Sequence, residues 1–340
     1  MELALGEEQQ AIDELFSSFF EKECPPERVR TAEPLGFDAP LWSRFGETGA
    51  CGMGLPEHLG GSAATVLDAA LIAEAQGRAL APLPFIEHFV ASRLLAHCDA
   101  TPTDLAEGAA IATLSLRPVC GDTARLVPAG AVARHVVALV DGELVSTSEK
   151  PPGRAPENFA CLPIADRAVG AAATGRRVLA TGSEARALFE ASCDEWRVLT
   201  SAALVGLAQR AFEIGLAYTK EREQFGRLIG SFQALQHGLA DVAVLLDGAR
   251  LLARKAAWAF DEDPEDARRL AGMALVFCGD LAPLATSRAL HYHGGVGFSL
   301  EYDIQLYYRR AKGWLLVLND PALEVDRLGG VMFGSLLEAR

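Results

Sequence analysis

The chain has 340 residues, half of them apolar, and its charged side chains sum to a net charge of −14. A chain of this length can bury a large core and is expected to form more than one folding unit. Its high apolar content and its mixture of positive and negative charges exclude an intrinsically disordered protein. The acidic balance argues against nucleic acid as a partner, because phosphate binding requires clustered lysine and arginine. One basic group, Arg309, Arg310 and Lys312, either faces an anion or forms a solvated helix face.

The seven cysteines are scattered along the chain, without the CxxC spacing of a metal or redox site. We expect reduced thiols, as in a cytosolic protein, and no metal centre. Met1–Gln10 carries three glutamates and no basic stretch, so no signal peptide is expected there. No uncharged apolar run reaches about 18 residues, so no transmembrane helix is expected. The sequence therefore predicts a cytoplasmic protein without a membrane span.

The first 105 residues are predicted to be mostly helical. Glu7–Glu23 is predicted as a helix, because its apolar side chains recur at helical spacing. Pro25 and Pro26 are expected to end this helix. Further helices are predicted over Leu41–Gly49 and Thr65–Gly77. The stretch between them is rich in glycine and proline, which predicts a loop.

Residues 106–185 change character, because short apolar runs alternate with glycine, proline and aspartate. Runs of this length between turn residues predict short strands and a small β domain. The predicted strands are Ala110–Leu114, Val136–Val140, Glu143–Val145 and Arg177–Ala180.

Residues 186–340 return to helix, and their long amphipathic segments with short breaks predict an antiparallel four-helix bundle. The predicted helices are Glu184–Arg222, Ser231–Phe260, Pro264–His293, Asp303–Val317 and Ala322–Leu337. The expected fold class is therefore mainly α with a small β domain. It has an N-terminal helical domain (1–105), a reduced middle β domain (106–185) and a C-terminal bundle (186–340).

Three short motifs in this α–β–α order resemble the acyl-CoA dehydrogenase family. The most specific is Arg222–Gly226, followed by Phe232 and Gln233. The second is the glycine-rich segment His293–Phe298, and the third is the loop Pro56–Gly61, which resembles the family's PExxGG pattern. The resemblance covers most of the chain and implies FAD as the cofactor and an acyl-CoA thioester as the substrate. Thr113–Leu116 is the nearest match to the family's flavin-contacting Thr/Ser segment.

The resemblance also implies how a flavin would be held. Arg222 would reach across a dimer interface to the FAD pyrophosphate, to which a guanidinium can donate paired hydrogen bonds. Gln224 and Phe225 would line the cofactor, with Phe232 and Gln233 nearby. The alternative for Arg222 is a solvated cation at a helix C-terminus.

Glycines at 294 and 295 form a turn without Cβ atoms, past which the neighbouring subunit's FAD would run. The same glycines are equally compatible with a helix C-cap. His291 stands where the family usually has glutamine, and an imidazole can also donate to a phosphate. His293 is predicted to be a packing or capping residue.

Dehydrogenation of a thioester requires a carboxylate that removes the α-proton. The family places this base at one of two points. The first corresponds to Asp320, seven residues before Arg327, although Asp320 followed by proline is also a helix N-terminal signal. The second corresponds to the neighbourhood of Glu195, which could equally be a surface or ion-paired residue. A third carboxylate, Asp280, lies in the most apolar helix, where a structural ion pair is expected.

Several functions remain open from the sequence. The first is an FAD-dependent acyl-CoA dehydrogenase that makes an α,β-unsaturated acyl-CoA and uses an electron-transfer flavoprotein as acceptor. The short chain resembles a branch of the family that acts on steroid side chains and in which two different subunits pair, and this resemblance implies a bulky substrate. The second is a non-catalytic subunit that completes a mate's FAD site in a homo- or hetero-dimer or tetramer. The third is a flavin-free binding or structural protein, and a flavin oxidase is a fourth.

Overall fold

The structure is a computed structural model that describes residues 4–318 and 320–337. Its N-terminal part is helical, and the helices are α1 (Glu7–Glu23), α2 (Pro26–Ala32), α3 (Ala39–Glu47), α4 (Val66–Ala79) and α5 (Phe85–His97). Helices were predicted at the positions of α1, α3 and α4, and the structure confirms them. Pro26 follows the end of α1, as expected, but it also begins α2, because proline is favoured in the first turn of a helix. Helix α5 was not predicted, since it is buried on nearly every side and has no amphipathic period.

The middle of the chain forms a four-stranded sheet and a separate two-stranded sheet. The strands are β1 (Ala112–Leu114), β2 (Thr123–Val127), β3 (His135–Val140), β4 (Glu143–Ser148), β5 (Ala165–Ala168) and β6 (Arg177–Thr181). The larger sheet has the order β1-β3-β4-β6, in which β1 and β3 are parallel and the other pairs antiparallel. Its strands were predicted from their apolar runs. The β2–β5 pair was missed, because β2 is bulged and β5 is short and polar.

The C-terminal part contains the long helices expected from the sequence. A two-stranded hairpin, β7 (Glu223–Gln224) and β8 (Arg227–Leu228), follows the first of them. The predicted helix over 303–317 ends at Gly313 and continues as the 3₁₀ turn Trp314–Val317. The helices are α6 (Gly182–Glu221), α7 (Gln233–Glu262), α8 (Pro264–His293), α9 (Ile304–Gly313) and α10 (Pro321–Leu337). The mainly helical fold class with a small sheet is confirmed.

Two compact units divide the described residues. The helical unit comprises Met1–Pro26, Ala70–Ala81 and Val198–Arg340, and the mixed unit comprises Glu27–Ala69 and Pro82–Arg197. The division into three domains at residues 105 and 185 stays a prediction.

The helical unit is held together by a close crossing of α4 and α6. A Cβ on Gly77 would overlap the carbonyl oxygen of Ala203, and a Cβ on Gly206 would overlap that of Glu74. Beside this crossing, the two terminal guanidinium nitrogens of Arg78, Nη1 and Nη2, donate hydrogen bonds of 2.8 and 2.7 Å to the two carboxylate oxygens of Glu213. Paired charge-assisted hydrogen bonds of this kind fix geometry as well as adding stability.

One helical segment of the described chain, Pro264–Phe298, is long and apolar enough to cross a membrane by length and composition. Its most apolar window has a mean hydropathy of 1.5, and 61% of that window is buried inside the protein. Burial within the fold therefore accounts for the apolar character of α8.

Candidate functional site

The C-terminal ends of α6 and α8 meet at one end of the helical unit. The rings of Tyr218 and His293 stack at 4.0 Å between centroids with 20° between their planes, and Tyr302 packs edge-on against both. Arg222 is tied to Tyr218 by a backbone hydrogen bond of 3.0 Å, and Gly294 directly follows His293. The structure therefore brings the predicted phosphate ligand Arg222 and the glycine turn to the same end of the unit.

The hairpin after α6 presents Phe225 to solvent. Phe225 and Gly226 form its two-residue loop, with φ of +56° and +77°. Positive φ at both positions is typical of a type I′ turn, which glycine and asparagine favour and a bulky residue adopts only under strain. Phe225 is nevertheless 92% exposed. A strained and largely exposed aromatic side chain of this kind suits a contact with another molecule.

The start of α7 lies against the same hairpin. The ring of Phe232 packs edge-on to Phe225 at 6.1 Å, and the Arg227 guanidinium lies 4.1 Å above the Phe232 ring. Gln233, the first residue of α7, is exposed, as is Gln224. Arg288 of α8 donates a hydrogen bond of 2.6 Å to the Gly238 carbonyl, which fixes this end of α7 against α8.

The glycine turn after α8 is open. Gly294 has φ of +64°, and a Cβ on Gly294 or Gly295 would meet no described atom within 4 Å. His291 is exposed beside it, and the His291 carbonyl accepts the Gly294 N–H. His293 is buried, its Nδ1 lies 2.7 Å from the Ala289 carbonyl, and burial lowers its pKa. His293 thus packs and positions the turn, while Gly294, Gly295 and His291 face outward.

A separate cavity of about 450 Å³ lies between α8, α9 and α10. Two of the three carboxylates considered from the sequence, Asp280 and Asp320, line it. Most of the other lining is apolar, and Lys312 and Glu324 complete its charged groups. The lining residues are Leu275, Val276, Gly279, Asp280, Pro283, Ala311, Lys312, Leu315, Leu318, Asp320, Pro321, Ala322, Glu324 and Val325.

The two aspartates of this cavity differ in their contacts. Asp320 is exposed at the start of α10, where one carboxylate oxygen accepts the Ala322 N–H at 2.9 Å, as the helix-cap alternative predicts. Asp280 is also exposed, and no ion pair or hydrogen bond of its carboxylate is formed within residues 4–318 and 320–337. The structural ion pair expected for Asp280 is therefore not seen. Glu324 accepts a bond of 2.7 Å from Arg327.

Comparison with known proteins identifies the family. Residues 6–99 match the model of the acyl-CoA dehydrogenase N-terminal domain, and residues 187–315 match that of the C-terminal domain. The acyl-CoA dehydrogenase IpdE2 of Mycolicibacterium smegmatis is 31% identical over 337 residues, 97% of this chain and 100% of the relative. The chain belongs to the acyl-CoA dehydrogenase family.

Two solved structures of this family resemble the chain over nearly its whole length. The Tcur3481–Tcur3483 steroid acyl-CoA dehydrogenase variant has a TM-score of 0.86 at 25% identity, covering 98% of this chain and 100% of that one. The ChsE4–ChsE5 complex of Mycobacterium tuberculosis has a TM-score of 0.83 at 25% identity, covering 97% and 98%. Members of the acyl-CoA dehydrogenase family are FAD-dependent.

Glu195, the second candidate base of this acyl-CoA dehydrogenase family member, lies in the mixed unit. It is 8% exposed and pairs with Arg93 at 3.0 Å. A further buried carboxylate in this unit, that of Glu87, was not identified from the sequence, because no motif or residue spacing marks it. Glu87 of α5 accepts a hydrogen bond of 3.4 Å from the Trp196 indole, and burial raises the pKa of Glu87.

The residues fit an FAD group in part. The exposed end of the helical unit offers a guanidinium, an open glycine turn and two aromatic rings, which suit a pyrophosphate and a flat ring system. The sheet offers less, because Thr113 and Ser115 are both buried. The Thr113 hydroxyl donates to the Pro128 carbonyl and the Ser115 hydroxyl to that of Arg117 at 3.1 Å. Both hydroxyls thus already donate within the chain and are not free to donate to a flavin ring.

Proposed function

We propose that this chain is an FAD-dependent acyl-CoA dehydrogenase that introduces an α,β double bond into a bulky, steroid-like acyl-CoA. The observation that carries the proposal is Asp320 in the lining of the α8–α10 cavity. The family resemblance assigns the commoner position of the base to this residue. The name of the steroid acyl-CoA dehydrogenase variant supports the substrate class. We further propose a cytoplasmic enzyme of lipid and steroid degradation, with an electron-transfer flavoprotein as acceptor.

The chain's own residues have separate tasks in this reaction. Asp320 accepts the α-proton, and the apolar lining of the cavity holds the acyl group away from water. Arg222 binds the cofactor's phosphates, Gln224, Phe225, Phe232 and Gln233 line it, and the glycine turn lets it approach. When bound, FAD supplies the acceptor for the hydride.

The proposal is tested by the absorbance of the purified protein, alone and after anaerobic addition of acyl-CoA thioesters. We expect a flavin band at roughly 450 nm that substrate bleaches. Asp320→Asn should keep the band and slow bleaching by about 10²- to 10⁴-fold. Asp326→Asn, an exposed carboxylate of α10 outside the cavity lining, serves as the control. Bleaching of Asp320→Asn at the rate of the unaltered protein would remove Asp320 from this role.

A second candidate function is a partner subunit that completes the FAD site of a catalytic mate. Asp280 in the cavity and Gly294 at the glycine turn lie about 20 Å apart along α8, at about 1.5 Å per residue. This separation suits an exposed end that serves another chain's cofactor. The buried hydroxyls of Thr113 and Ser115 and the capping bond of Asp320 favour the same function.

The partner function predicts a colourless protein that acquires flavin only when a second family member is co-expressed with it. Arg222→Met should then abolish flavin retention by the complex without preventing its assembly. Flavin bound by this chain alone would exclude the partner function. A chain that takes up no flavin in either setting would be a flavin-free binding or structural protein.

A further inference from the structure

Two charged side chains of the α8–α10 cavity have no hydrogen-bond or ion-pair partner among residues 4–318 and 320–337. The Asp280 carboxylate and the Lys312 ammonium form neither a hydrogen bond nor an ion pair within the described chain. The nearest ring to Lys312 is that of Tyr308, with the ammonium 5.8 Å from its centroid. Both residues line the cavity and both are exposed to solvent. They therefore keep their hydrogen-bonding capacity for a ligand or for water.

The other charged groups of the cavity have assigned contacts. Asp320 caps α10 through Ala322, and Glu324 binds Arg327. With Glu324 neutralised by Arg327, the lining contains the negative charges of Asp280 and Asp320 and the positive charge of Lys312. A ligand in the cavity thus meets one donor, two carboxylates and an otherwise apolar wall.

This arrangement sets the chemistry of the preferred ligand. A cavity of about 450 Å³ is within the range that holds a small ring system. An entirely apolar ligand would desolvate Asp280 and Lys312 without replacing their hydrogen bonds to water. A hydroxyl group can donate to a carboxylate and can accept from an ammonium, so a hydroxylated ligand can hydrogen-bond to either residue. A free carboxylate can only accept hydrogen bonds. Lys312 would attract it, but Asp280 and Asp320 would both repel it, so the net negative charge of these three groups disfavours it.

We propose that Asp280 and Lys312 select acyl groups that carry an uncharged hydroxyl on an apolar ring and reject acyl groups that end in a free carboxylate. Asp280 accepts a hydrogen bond from a ligand hydroxyl, and Lys312 donates a hydrogen bond to a ligand hydroxyl oxygen. This inference rests on the proposed function, because it assigns the cavity to the acyl group of a CoA thioester.

The test compares three CoA thioethers with a cyclohexylpropyl group: unsubstituted, 4-hydroxylated and 4-carboxylated. A thioether has no carbonyl and is not dehydrogenated, so calorimetry measures binding independently of turnover. The unaltered protein, with any subunit that copurifies, should bind the hydroxylated probe about tenfold more tightly than the unsubstituted one. It should bind the carboxylated probe at least tenfold more weakly than the hydroxylated one.

Three variants separate the contributions. Asp280→Leu removes the acceptor and should abolish the preference for the hydroxyl. Asp280→Asn keeps an acceptor oxygen but removes the charge, so it should keep that preference and bind the carboxylated probe more tightly. Lys312→Met should lose the hydroxyl preference and bind the carboxylated probe still more weakly. Glu265→Gln, an exposed carboxylate of α8 outside the lining, should change nothing. Thermal unfolding confirms that each variant is folded.

The outcomes also distinguish this inference from the proposed function. Equal affinities for the three probes, absence of binding, or an unchanged preference in Asp280→Leu would overturn the inference, even if acyl-CoA thioesters still bleach the flavin. Conversely, a protein that never dehydrogenates a thioester but shows the expected selectivity would retain the inference and lose the proposed reaction.

Discussion

The ring of Tyr218 lies on the ring of His293, with centroids 4.0 Å apart, and this contact joins the ends of α6 and α8. One turn beyond Tyr218 is Arg222, and immediately beyond His293 is the Gly294–Gly295 turn. The stacked rings of Tyr218 and His293 fix the positions of both helix ends. The proposed cofactor-binding residues Arg222 and Gly294 therefore depend on this ring pair for their placement. The pair is a positioning element rather than a cofactor contact.

Replacing Tyr218 with leucine should therefore loosen the end of the unit. The stacking contact contributes about 1 kcal/mol to the free energy of unfolding beyond burial alone. We expect Tyr218→Leu to lower that free energy by about this amount and to reduce the flavin-to-protein ratio of the holoenzyme or complex. Tyr218→Phe keeps the ring and should match the unaltered protein in both measurements. A full flavin content in Tyr218→Leu would contradict the positioning role.

Phe225 should show a conflict between stability and binding. Its φ of +56° strains the isolated chain, and at 92% exposure the side chain gains little packing beyond its edge-on contact with Phe232. Phe225→Gly should relieve about 1 kcal/mol of strain and raise the urea midpoint of unfolding. The same substitution should weaken flavin retention or subunit association, measured by absorbance and by sedimentation. Weaker stability in Phe225→Gly would show that the conformation is not strained.

Sequence patterns were sufficient for most of the helices but not for every element. Long amphipathic segments such as α7 and α8 have a clear period, and the motif after α6 resembles a family pattern residue by residue. Helix α5 was missed because a helix that is buried on all sides has no polar face. Strand β5 was missed because it carries Asp166 and Arg167 in place of an apolar run.

The candidate site was less accessible to sequence reasoning, because side chains far apart in the chain determine it. The apolar sequence around Asp280 suggests burial, yet that face of α8 borders a cavity and leaves the carboxylate exposed. The convergence of Arg222 and Gly294 depends on the Tyr218–His293 stack, which no local spacing encodes. Glu87 has no motif around it, and only its contact with Trp196 brings it to notice.

Two glycine substitutions in helices should have opposite effects on stability, because Gly77 lies at the close crossing of α4 and α6 and Gly329 lies in open space. In Gly77→Ala the new methyl group would overlap the Ala203 carbonyl, so we expect a loss of about 2 kcal/mol in the free energy of unfolding. In Gly329→Ala, in α10, the methyl group meets no described atom within 4 Å. Alanine there should stabilise the helix by about 0.5–1 kcal/mol. Chemical denaturation measures both, and a neutral Gly77→Ala would show that the helices can separate.

Burial of His88 in the mixed unit should make stability depend on pH. The ring is fully buried, its Nδ1 accepts the Ala112 N–H at 3.2 Å, and burial lowers its pKa from 6.5 to about 4. A protonated ring would turn an N–H towards the Ala112 N–H, so the folded protein disfavours the cation. The unfolded chain, in contrast, takes up this proton near pH 6.5.

The sign of the effect follows from this difference in proton uptake. Above pH 6.5 both states are neutral at His88 and stability is full, and between about pH 6.5 and 4 the unfolded state gains protons that the folded state lacks. The free energy of unfolding should therefore decrease as the pH is lowered from about 6.5 to 4, and His88 should contribute up to about 1.4 kcal/mol per pH unit to this decrease. Buried His135 and His293, whose pKa values are also lowered by burial, act in the same direction. Urea titrations at pH 7, 6 and 5 should show that the free energy of unfolding depends less steeply on pH in His88→Gln than in the unaltered protein. Equal slopes in His88→Gln and the unaltered protein would mean that His88 does not remain neutral in the fold.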